Sequence, residues 1–131
     1  LLLQGKITST PEAVYSLLER APLHLARSKA AILSSVEGLY WSVVDSAHAA
    51  IIAAKNLPPS PEHIPIMLKE LFVEKGLLKL KYAVLYRDIY LLHRRILHGE
   101  TKVVRGAEIE SLQQQVEEFI GKMTEIINKI T

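Results

Sequence analysis

An all-α fold is predicted by three observations. Helical periodicity recurs along most of the chain, no alternating apolar and polar run lies between turn signals, and prolines and glycines fall where helices would begin or end. The expected arrangement is an antiparallel up-and-down bundle of four long helices plus one short helix. With 131 residues the chain has the length of one ordinary domain, read as 1–131 with residues 1–21 an N-terminal extension carrying a short helix.

The elements follow in order. Ser9 and Thr10 precede Pro11, and Glu12 stands three after Ser9, a capping-box start for a short helix to about Ala21. Pro22 is expected to kink that helix or open another, which carries Leu23, Ala26, Ala30 and Leu33 towards a break or bend near Ser34-Ser35. From Val36 the residues Tyr40, Val43, Ala47, Ala50 and Ala54 step by threes and fours, one seam of a helix that packs between neighbours, and Trp41 is read as core. Leu57-Pro58-Pro59-Ser60-Pro61 ends it, because consecutive prolines cannot continue an α-helix. Pro65 opens a short helix through Met67, Leu68, Leu71 and Phe72, closed by Gly76. A long helix then runs from Leu77 to about His98 and stops at Gly99. After a loop over residues 99–106, the last helix places Ile109, Leu112, Val116, Phe119, Met123, Ile126 and Ile130 on one seam, widened by Ile120 and Ile127.

Composition removes several function classes. Hydrophobic residues make up 49% and charged residues 23%, which calls for a packed core rather than disorder. There is no cysteine, hence no disulfide, no zinc-thiolate cluster and no thiol nucleophile. No apolar run approaches the roughly 18 to 20 residues that span a bilayer, so no membrane partner and a cytoplasmic protein are expected. The formal charge of +2 hides an uneven distribution. Residues 1–68 are balanced, residues 69–105 carry nine basic against four acidic groups, and residues 107–131 two against five. A basic middle beside an acidic end fits a phosphate-binding face, or two helices that attract each other or their copies.

Candidate chemistry concentrates in that basic middle. The glycines form no phosphate-cradling loop, and there is no Gly-x-Ser-x-Gly elbow or His-Glu-x-x-His pair. What remains is Arg87, Asp88, His93, Arg94, Arg95 and His98 on the long helix. At about 100° per residue, Arg94 and His98 lie about 20° either side of Arg87 in one polar stripe, with His93 about 120° away. A metal is not expected: the two histidines are five apart, and three cations crowd them. A histidine beside arginines suits proton transfer next to a phosphate, with the arginines stabilising charge, while solvated or inter-helix polar contacts are the plainer reading. Asp45 and His48 are read as a local hydrogen bond and His63 as a loop cap. Tyr82, Tyr86 and Tyr90 suit either a bundle edge or base stacking.

The series Tyr40-Trp41, Ser46-Ala47-His48-Ala49-Ala50, the proline loop, Pro61-Glu62-His63-Ile64, Leu68-Lys69-Glu70-Leu71 and an Arg/His helix ending in His98-Gly99 resembles the HEPN (higher eukaryotes and prokaryotes nucleotide-binding) family. The resemblance spans roughly residues 22–130. It implies a helical bundle that forms a homodimer, and a metal-independent ribonuclease without cofactor. In such proteins an arginine, commonly followed by a polar residue, precedes a histidine by four to six positions. Arg87-Asp88 followed by His93 meets that pattern; the glycine that often follows the family's histidine points instead to His98. On this resemblance Arg87, His93 and His98 are the catalytic candidates, and Arg94, Arg95 and Asp88 the candidates for holding phosphate or nucleotide. RNA or a nucleotide is the expected ligand, within a toxin-antitoxin-type pair that includes a small nucleotidyltransferase. The alternative is a non-catalytic helical module that binds such a nucleotidyltransferase.

Overall fold

The computed structural model describes residues 11–100 and 105–131, with side chains described at 20, 22, 23 and from 34 onward. Among the described residues every regular element is helical: α1 (Pro11–Ala53), a 3-10 turn (Pro61–His63), α2 (Ile64–Leu68) running into a π-helical turn (Lys69–Val73), α3 (Leu80–Leu97) and α4 (Gly106–Ile130). The capping box expected at Ser9 and Thr10 lies outside these residues. By contacts the chain divides into two compact units, residues 1–32 and 33–131. In the first, Arg20, Pro22 and Leu23 are exposed.

No helix ends at Pro22 or near Ser34-Ser35, where an end is the stronger form of what the sequence suggests. One helix of 43 residues runs through both, with Pro22 inside it. A proline removes one backbone hydrogen bond and crowds the preceding turn. The leucines, alanines and arginine on either side are strong helix formers, and the helix continues across the defect. Among the described residues the expected four long helices and one short one become three long ones and a short one.

The second unit has a packed core. The α1 stripe Val36, Leu39, Tyr40, Val43, Val44, Ala47, Ala50 and Ile51 is buried, in the three-and-four spacing the sequence predicts. Ile64, Leu68 and Phe72 join it from the short segments, Tyr82, Tyr86 and Ile89 from α3, and Val116, Phe119, Met123 and Ile126 from α4. The α4 seam is shorter than its sequence pattern, because Leu112 is only partly buried and Ile120 and Ile130 are exposed. Trp41 is also not core: it is 52% exposed, since the α1 stripe turns Tyr40 inward and its neighbour outward.

Three helical segments end with the same hydrogen-bonded closure. Asn56 and Lys55 donate to the carbonyls of Ile51 and Ile52, Leu77 and Gly76 to Phe72 and Val73, and Glu100 and Gly99 to Arg95 and Ile96. The closing residue must take a positive φ, and it does at Gly76 (75°), Gly99 (70°) and Lys55 (67°). Lys55 alone of the three carries a Cβ in that conformation. The long basic helix begins at Leu80 rather than Leu77, because Leu77 still belongs to the closure at Gly76.

Candidate functional site

The carboxyl-terminal half of α3 faces two other pieces of chain: the α1 segment around Tyr40, and the turn at Ser60 to Glu62. Together they enclose a groove of about 420 Å³, within the range of small-ligand sites, lined by Tyr40, Ser60, Glu62, Tyr90, His93, Arg94 and His98. Tyr86 anchors the turn from below, donating its hydroxyl hydrogen to the carbonyl of Pro61 at 2.9 Å. The proline run thus ends one helix and then supplies one wall of the groove.

His93 is the one buried polar residue among those described, at 8% exposure. Its ring lies parallel to Tyr40, with centroids 4.0 Å apart and planes 8° from coplanar. Nε2 is sealed from solvent without a hydrogen-bond partner, and Glu37 Oε1 stands 3.7 Å from it. Tyr90 adds a third ring, 6.3 Å from that of Tyr40. Burial, and then the neighbouring Tyr90, push the Tyr40 phenol above its ordinary range, which keeps it a neutral donor.

Arg94 and His98, one turn apart, line the same groove and are exposed. His98 caps α3, with its Nδ1 3.7 Å from a Glu100 carboxylate oxygen. Arg94 can therefore reach an anion, and His98 can give or take a proton beside it.

Arg87 and His93, the pair that fits the sequence pattern, do not share this groove. Arg87 lines a second, apolar cleft of about 180 Å³ with Pro65, Ile66, Lys69, Leu80, Ala83 and Val84, and its guanidinium pairs with the neighbouring Asp88 at 3.3 Å. Seven residues of helix separate Arg87 from Arg94 by roughly 10 Å along the axis, so one stripe serves two sites. Arg95 is exposed and lines neither. His63 ends the 3-10 turn and stands at the N-cap of α2, but its side chain makes no capping bond there: its Nδ1 is 2.8 Å from Ser60 Oγ. The local bond expected between Asp45 and His48 is absent: His48 Nε2 is buried without a partner, and Asp45 is exposed. Among the described residues no three His, Asp or Glu side chains are placed to hold one metal ion.

Sequence reasoning missed Glu37 entirely and took Tyr40 as a seam residue and as part of a resemblance, not as a partner of His93. Both act on a residue more than fifty positions away, and periodicity carries no signal for such a pairing. No protein-family model, characterised protein or solved structure with which the chain was compared matches it.

Proposed function

We propose that the chain is a cytoplasmic, HEPN-like antiparallel bundle that dimerises and acts on RNA, or holds a nucleotide, in the groove formed by Tyr40, Tyr90, His93, Arg94 and His98. The observation that carries this reading is the convergence on one groove of an exposed arginine, two histidines and two tyrosine rings. Arg94 holds the phosphate and offsets the charge that builds on it, while the tyrosines offer faces on which a base stacks. In RNA cleavage the 2′-hydroxyl gives up its proton to one histidine as its oxygen bonds to phosphorus. The 5′-oxygen leaves and takes a proton from the other, which yields a 2′,3′-cyclic phosphate and a 5′-hydroxyl. In this register His98, the histidine followed by glycine, works with Arg94, and Arg87 serves the neighbouring cleft.

The test is cleavage of bulk RNA by the purified protein in the presence of a chelator. The wild-type chain is expected to cleave, and Arg94→Ala to lose about 10²-fold or more at an unchanged melting temperature. No cleavage by the wild type would overturn the ribonuclease reading. Cleavage that survives Arg94→Ala but not Arg87→Ala would return the site to the Arg87/His93 register.

One observation favours a second reading, that the chain docks a small nucleotidyltransferase. In the apolar cleft Ile66 and Leu80 are 57% and 53% exposed between Lys69 and Arg87. Co-expression with such an enzyme encoded beside it should yield a complex that Ile66→Asp dissociates; separate elution of the wild-type chains would count against it.

A further inference from the structure

Glu37 was not singled out by the sequence, and nothing in the proposed chemistry requires it. It nevertheless stands against the buried nitrogen of the histidine that floors the groove. His93 Nε2 is closed off from water and makes no hydrogen bond, which is costly for a polar atom whose only exits are a proton donated or a proton accepted. Glu37 Oε1 is 3.7 Å away on a side chain 45% exposed, so that rotation about its own bonds brings the carboxylate into hydrogen-bonding range. The stack on Tyr40, at 4.0 Å, holds the plane of the imidazole. The other charged or titratable groups around the groove are Tyr40 from α1, Glu62 from the turn, and Tyr90, Arg94 and His98 from α3.

We infer that Glu37 is a positioning residue which fixes the tautomer of His93. A carboxylate only accepts, so the neutral ring carries its hydrogen on Nε2, towards Glu37. The lone pair is then on Nδ1, the ring's other nitrogen. This rests on the reading of the groove as an RNA site and divides its labour. His93 takes the proton from the 2′-hydroxyl through Nδ1, and His98 supplies one to the leaving 5′-oxygen.

The nitrogen chemical shifts of the His93 ring in labelled protein test the pair without any substrate. The wild type is expected to show a protonated Nε2 and an unprotonated Nδ1. Glu37→Gln, whose amide oxygen still accepts, should keep that pattern, and Glu37→Ala should give a mixture of tautomers. In cleavage assays Glu37→Ala should lower kcat about tenfold with KM little changed, and Glu37→Gln should recover most of the loss. A wild-type ring protonated on Nδ1, or a Glu37→Ala ring with the wild-type pattern, would overturn the inference. If no chain cleaves RNA, the reading of the groove fails while the ring shifts still decide whether Glu37 sets the tautomer.

Discussion

The groove at the carboxyl-terminal half of α3 and the cleft at its amino-terminal half draw on the same helix, and each receives an arginine from the same stripe. Opposite Arg94 stand Tyr40, Ser60 and Glu62. Opposite Arg87 stand Pro65 and Ile66. What differs is the chain packed across from each: the α1 segment with the proline turn in one case, α2 in the other. A cation therefore takes its role from its tertiary neighbours, and a motif spacing along one helix cannot supply those.

Substitutions in the two sites separate them most sharply. On the proposed function His98→Ala should lose about 10²- to 10⁴-fold in RNA cleavage, and Arg87→Ala should stay within about threefold of wild type. Single-turnover rates in a chelator would show this; equal losses would erase the distinction between groove and cleft. Next in size is the core. Phe119 is fully buried with its ring 6.4 Å from that of Tyr86, and Phe119→Ala should destabilise the protein by about 3–5 kcal/mol in denaturant unfolding.

The groove's own wall is tied more weakly. Tyr86→Phe removes the bond to Pro61 and should cost about 1 kcal/mol, with a larger effect on cleavage than on the apolar cleft. The same tyrosine sets an alkaline limit. Burial first, and then Tyr40 and Tyr90, raise its phenol well above the ordinary value of 10.0. The folded chain therefore holds that proton more tightly than the unfolded chain does. The resulting stabilisation is complete below about pH 10 and is lost as pH rises beyond it. Melting temperatures taken upward from pH 9 should fall, and less steeply in Tyr86→Phe. The smallest effect belongs to the cleft: Ile66→Ser, exposed as it is, should change stability by no more than about 0.5 kcal/mol. A loss of several kcal/mol would mean that the cleft is part of the core.

How far the sequence reached follows the range of the forces involved. The α1 stripe, the stop at Gly99 and the closure at Gly76 rest on contacts within a few residues, and periodicity and glycine placement reveal them. Whether the helix passes through Pro22 or ends there is not legible, because a proline signals the local cost of helix formation and not the propensity summed over 43 residues. Lys55 escaped for a related reason: glycine usually marks such a closure, and here the hydrogen bonds hold a lysine in it. The Tyr40–His93 stack and the approach of Glu37 depend on where two helices meet, and neither helix records that alone.

The protein's single tryptophan bears on how the groove can be watched. Trp41 is half in water and meets the Tyr40 ring edge-on, at 5.1 Å and 77°. Tyr40 is in turn the platform on which His93 lies. The indole is therefore one ring away from whatever enters, and its emission should respond in intensity and colour when the groove fills. Light absorbed at the red edge of the indole band excites that residue alone, so occupancy becomes an optical signal that the chain already carries.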